Sequence, residues 1–102
     1  AAGGITACRK IAALAEPHYA EMAPHVWGGP IIYAAAVQLD ACIPNFLIQE
    51  TILDGHTAFF DDVCSKGIRW EKGYILPPDG PGLGIEMDEK AILKYTINKT
   101  SD

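Results

Sequence analysis

Positive charge is scarce in this 102-residue chain, where 8 Lys+Arg against 13 Asp+Glu leave a formal charge of −5. No basic run occurs, so neither nucleic acid nor an anionic membrane surface is an expected partner. Cysteine is sparse as well. Cys8, Cys42 and Cys64 are an odd number at wide spacing, with no Cys-x-x-Cys pair. That pattern argues against a disulfide framework or a thiolate zinc site and leaves free thiols in a cytoplasmic protein as the expectation. Long apolar runs are missing too: the longest, residues 30–39, is interrupted by Gln38 and is too short for a bilayer. No charged-then-apolar leader opens the chain, and Ala1-Ala2-Gly3-Gly4 reads as a loop. Residues themselves are few, since a complete (β/α)₈ barrel needs about 250. Such a barrel is present here only as a piece, if at all.

What is present is a globular composition, 49% hydrophobic and 21% charged. Thr6 is a candidate N-cap for a helix over residues 7–16, with Ile11, Leu14 and Ala15 at helical spacing and Arg9 and Lys10 opposite. Pro17 stops it. Residues 19–23 then read as a short strand aimed at Pro24-His25. Gly28-Gly29-Pro30 leads into a second amphipathic helix over residues 31–42, with an apolar stripe of Ile32, Ala35, Ala36, Leu39 and Cys42. After Pro44-Asn45, the apolar Phe46-Leu47-Ile48 reads as a buried strand ending at Gln49-Glu50. Strand, helix, strand in that order is a parallel crossover. Ligand sites of such units gather at the carboxyl ends of the strands, and His25 and Glu50 occupy those ends.

The second half is less regular. Residues 61–66 read as one helical turn. Arg69-Trp70-Glu71 and Tyr74-Ile75-Leu76 flank Lys72-Gly73 as a hairpin. The Pro- and Gly-rich stretch 77–84 is loop, Ile85-Glu86-Met87 adds a strand, and Asp88 caps a short helix through Tyr95. A two-stranded parallel sheet does not stand alone. The chain is therefore expected to be a portion of something larger or to assemble with another chain.

Several motifs together resemble the C-terminal portion of the enolase superfamily. They are Gly3-Gly4-Ile5-Thr6, Arg9-Lys10-Ile11-Ala12, Ala23-Pro24-His25, Gly29-Pro30, Asn45-Phe46-Leu47-Ile48-Gln49-Glu50 and Pro81-Gly82-Leu83-Gly84-Ile85-Glu86. The resemblance falls in the mandelate racemase/muconate lactonizing enzyme group, nearest its galactonate dehydratase-type acid-sugar dehydratases. It implies an α/β fold, the C-terminal part of a (β/α)₇β barrel plus a segment returning to an α+β capping domain. Residues 1–50 would be the last helix–strand–helix–strand of the barrel, and 51–102 the returning segment. By the same resemblance His25 is an acid/base group at the end of the seventh strand. Glu50, 25 positions later, is the eighth-strand group that hydrogen-bonds the substrate carboxylate. His56 matches a loop histidine of some dehydratases. The implied reaction removes a proton α to a carboxylate and eliminates water, giving a 2-keto-3-deoxy acid. Its charge development requires Mg²⁺, with ligands expected upstream of residue 1. The implied partners are a small acid sugar, the remainder of the barrel and cap, and further copies in a homo-oligomer. The 102 residues alone are expected to be inactive.

Other residues carry plainer readings. Trp27 either lines the pocket beside His25 or packs. His18 is solvated, and Asp40 takes an exposed helix position. Residues 80–84 lack the lysine and hydroxyl of a phosphate loop. Asn98-Lys99-Thr100 fits a glycosylation sequon by chance. Asp61-Asp62 is too short for a metal site, and no zinc spacing occurs. Competing functions are a sugar-lactone cycloisomerase or racemase of the same superfamily, and a small non-catalytic binding or structural domain.

Overall fold

The computed structural model describes residues 2–51 and 58–96. Helix α1 runs Ile5–Ala15, beginning two residues ahead of the expected start because Gly4, not Thr6, holds the cap position. Gly4 adopts φ 91° and ψ −179°, a conformation essentially reserved for glycine, and its carbonyl accepts from the Cys8 N–H at 3.0 Å. The helix tightens into a 3₁₀ turn over Glu16–His18, where Pro17 fits and Tyr19 closes in the left-handed region at φ 55°. That reversal shortens the expected strand over 19–23: its pairing begins only at Met22.

Helix α2 spans Pro30–Asp40, with Pro30 at its first turn where the missing N–H is harmless. Its buried arc is Pro30, Tyr33, Ala34, Ala36, Val37 and Leu39. The expected stripe is therefore only partly right: Ala36 and Leu39 are buried, whereas Ile32 is 46% exposed and Cys42 is exposed. The helix is covered from two sides, which turns the buried arc toward Tyr33 and Val37. On one side Leu39 joins Ala12 and Ile43, with Ile5, Cys8 and Met22 packed around them. On the other, Tyr33 and Ala36 join Val26, backed by Phe60, Ile68 and Trp70. The Tyr33 ring meets Phe60 and Trp70 edge-on, at 5.6 and 6.3 Å between centroids.

Asp40 corrects another expectation. It is half-buried; burial raises its carboxyl from 3.8 to about 6, and Oδ1 is shielded with no hydrogen-bond partner among the described residues.

In the second half, helix α3 (Ala58–Val63) precedes strand β1 (Cys64–Lys66), so the helical turn expected over 61–66 ends early and becomes strand. Strand β1 pairs antiparallel with β4 (Glu86–Met87), and β2 (Arg69–Glu71) pairs with β3 (Tyr74–Leu76) as the expected hairpin. Lys72 and Gly73 turn at φ 50° and 84°, the two positive angles that a tight two-residue hairpin needs. Helix α4 (Glu89–Tyr95) starts where expected, with the Asp88 carboxylate accepting the Ala91 N–H at 3.0 Å. Between β3 and β4 the irregular loop docks on α2, because Gln38 Nε2 donates to the Pro78 and Leu83 carbonyls at 2.9 and 3.4 Å. Among the described residues no helix is long and apolar enough to cross a membrane.

Candidate active site

The site grows out of the crossover. Residues 22–25 and 45–50 lie side by side in parallel on either side of α2 in sequence, bridged at Met22 with Phe46 and at His25 with Glu50. Backbone bonds begin regularly: Met22 N–H donates to the Asn45 carbonyl at 2.8 Å, and Leu47 N–H donates to Met22 at 2.9 Å. Further on, Glu50 N–H donates to the Pro24 carbonyl at 3.2 Å. Two neighbouring strands therefore end together, one on His25 and the other on Glu50.

Burial decides which way their side chains project. Val26 is turned into the core, where its carbonyl accepts from the buried Tyr33 hydroxyl at 3.2 Å. Strand alternation then sends His25 and Trp27 to the other side. The His25 and Glu50 side chains are 67% and 62% exposed, and His25 Nδ1 lies 2.8 Å from Glu50 Oε2. An ionised carboxylate only accepts hydrogen bonds, so opposite Glu50⁻ the proton resides on Nδ1. Nε2 of the neutral ring is then left with its lone pair, available to a reacting proton. The sequence brought these two residues to successive strand ends, and the structure brings their side chains into contact.

Trp27 is 73% exposed, so within this chain it is not a core residue; it follows His25 by two positions. His56 lies outside the described residues, as does the triplet Asn98-Lys99-Thr100. Two amides that sequence reasoning did not single out turn out to hold the strands. Asn45 Nδ2 donates to the carbonyls of Ala12 and Ala20 at 3.1 and 3.0 Å, fastening the second strand to α1. Gln49 Nε2 donates to the Pro24 carbonyl at 2.8 Å and also to that of Glu50. The signal available for them was local: polar amides flanking an apolar tripeptide inside the second strand. No three His, Cys, Asp or Glu side chains come together among the described residues, so these do not form a cage for a metal ion.

A family model described as "Enolase C-terminal domain-like" matches residues 1–91. A D-galactonate dehydratase of Variovorax paradoxus (strain S110) is 39% identical over 102 residues, covering 95% of this chain and 27% of that protein. Among solved structures, a Burkholderia SAR-1 protein named for the mandelate racemase/muconate lactonizing enzyme group is 47% identical with a TM-score of 0.87. That match covers 97% of this chain and 25% of the other. A Burkholderia xenovorans strain LB400 protein named for L-alanine-DL-glutamate epimerase, bound to magnesium and fumarate, is 33% identical with a TM-score of 0.83. It is matched over 90% of this chain and 23% of its own. The chain thus spans about a quarter of the length of these relatives. It belongs to the enolase C-terminal domain-like family of the enolase superfamily, with galactonate dehydratases among its relatives.

Proposed function

We propose that this chain is the C-terminal portion of an acid-sugar dehydratase, with His25 as general acid/base and Glu50 as the group that engages the substrate carboxylate. The observation that carries the reading is the 2.8 Å contact between His25 Nδ1 and Glu50 Oε2 at the ends of adjacent parallel strands. A proton α to a carboxylate is removed only if the charge building on the enediolate is met by donors as it develops. His25 suits the proton transfer, because imidazole takes and returns a proton near neutral pH and Glu50 leaves its Nε2 free. Glu50 is the group that, by the family resemblance, hydrogen-bonds the substrate carboxylate as the enolate forms. The β-hydroxyl then departs as water on a proton from a second acid, expected upstream of this chain, and tautomerisation of the enol gives the 2-keto-3-deoxy acid. Trp27, exposed two positions after His25, and His56 complete the substrate-binding face in this reading.

Residues 1–50 supply the last helix–strand–helix–strand of a (β/α)₇β barrel, and 51–102 return to a capping domain. Exposure of the apolar strand supports this arrangement: Phe46, Leu47 and Ile48 are 38%, 57% and 61% exposed, although the sequence pattern called for burial. A strand of that composition requires cover from further chain. The described residues do not fit Mg²⁺ by themselves, so the ion this chemistry calls for would be bound by carboxylates elsewhere in the longer protein. A cytoplasmic homo-oligomer acting on a small acid sugar is part of the same reading.

The test uses the longer protein that carries this chain. His25→Asn is expected to abolish exchange of the α-proton of D-galactonate in deuterated water while Mg²⁺ binding persists. Unchanged exchange would sink the assignment. The epimerase-named neighbour supports a second reading, an epimerase or racemase that shares the first proton abstraction, and a cycloisomerase shares it too. Product analysis separates these: a keto-deoxy acid marks the dehydratase, and an inverted α-carbon marks the racemase.

A further inference from the structure

The two bridges of the crossover are out of step. Three positions separate Met22 from His25, but four separate Phe46 from Glu50. The second strand therefore carries one residue more than its partner, which is a bulge. Its cause is legible in the ladder. After Leu47 N–H has donated to Met22, a regular parallel register next asks residue 24 to donate to Leu47 and residue 49 to donate to residue 24. Residue 24 is proline and has no N–H. The ladder slips by one, and Glu50 N–H, instead of that of Gln49, reaches the Pro24 carbonyl at 3.2 Å.

Gln49 fills the gap with its side chain. Nε2 donates to the same Pro24 carbonyl at 2.8 Å, closer than the backbone donor, and to the carbonyl of Glu50. Both partners are acceptors, so only the NH₂ end of the amide can face them and the orientation is determined. Pro24 immediately precedes His25, and Glu50 immediately follows Gln49. One half-buried amide thus ties the backbone carrying the imidazole to the backbone carrying the carboxylate.

We infer that Gln49 is a positioning residue: its amide holds the bulge that delivers the Glu50 carboxylate to His25. This rests on the proposed function of that pair. Loss of the amide lets the two strand ends drift apart, and a displacement of about 1 Å in a reacting geometry costs roughly a hundredfold in rate.

The experiment compares wild type, H25N, Q49M and Q49E in the longer protein, with D-galactonate as probe. Readouts are α-proton exchange, kcat and KM, the pH profile and Tm. Gln49→Met keeps the length of the side chain and removes its donors. It is expected to lower kcat roughly a hundredfold with KM little changed and Tm within a few degrees of wild type. Gln49→Glu restores one donor only when the introduced carboxyl is protonated, so activity should recover toward acid pH and fall as that carboxyl ionises. Wild-type kcat in Q49M together with an unshifted profile in Q49E overturns the positioning role while leaving the function intact. A lower Tm with unchanged turnover also overturns it, because that is what a merely structural amide gives. Should Q49M not fold, the Q49E profile decides alone. Absent exchange in wild type, or persistent exchange in H25N, overturns the function itself.

Discussion

Asp40 shows how a single side chain departs from its helical surroundings. Its burial raises the carboxyl from 3.8 to about 6, and the shielded oxygen has no partner among the described residues. The sign follows from linkage. A carboxyl with a raised pKa in the folded state contributes stability below the unfolded value, and this is lost as pH rises through about 6. In the longer protein that carries this chain, Asp40→Asn is therefore expected to leave Tm nearly unchanged at pH 4 and to raise it by a few degrees at pH 7.5. A thermal-unfolding series across that range checks it, and an equal or lower Tm for the variant at pH 7.5 would show the charge to be compensated. The meeting of His25 and Glu50 was legible because their positions were marked by strand ends. Asp40 was not, since a helical pattern says which face a residue takes but not how far a neighbouring hairpin reaches over it.

At the level of elements, the loop between β3 and β4 depends on a backbone only glycine supplies. Gly84 is buried at φ 75°, and a Cβ there would stand 2.5 Å from Pro78 Cβ and 2.9 Å from the Pro78 carbonyl carbon. Gly84→Ala is expected to cost roughly 1–3 kcal/mol in backbone strain alone and to undock the loop from Gln38. Amide hydrogen exchange in the longer protein reads this directly: protection of the N–H at position 84, which in Gly84 bonds to the Pro81 carbonyl at 3.0 Å, should be lost in the variant. Retained protection would refute it. The hairpin, the Asp88 cap and the crossover were all readable, because turn chemistry, capping and periodicity act within a few residues. The start of α1 was misread since Thr6 advertises a cap while Gly4 makes one through its φ angle alone. The strand over 46–48 was misread for the opposite reason. Apolar composition reports that a surface needs cover, not that this stretch of chain provides it.

At the scale of the whole molecule, two small clusters of three buried residues each pack around α2 among the described residues, and they leave large apolar side chains at 46–48 open. The two parallel bridges are too little sheet to stand unaided. Expressed alone, the 102 residues are expected to associate or to form a loosely packed state that binds a hydrophobic dye, with inert behaviour toward D-galactonate. Sedimentation and dye binding decide this, and a monomer with a sharp cooperative melt would instead favour the independent-domain reading. Sequence reasoning reached this scale through a shortage, one crossover with nothing to cover it, and the structure locates the shortage on Phe46, Leu47 and Ile48.

The chain has two tryptophans, and the fold separates them. Trp70, half-buried, packs edge-on to Tyr33, whereas Trp27 is 73% exposed two residues beyond His25. The molecule thereby carries its own optical labels: light emitted from one indole reports on the hairpin against the helix, and light from the other reports on whatever approaches the imidazole. A soluble quencher reaches the second more readily than the first, so events at the strand end and packing of the hairpin can be followed in the same cuvette without adding a dye.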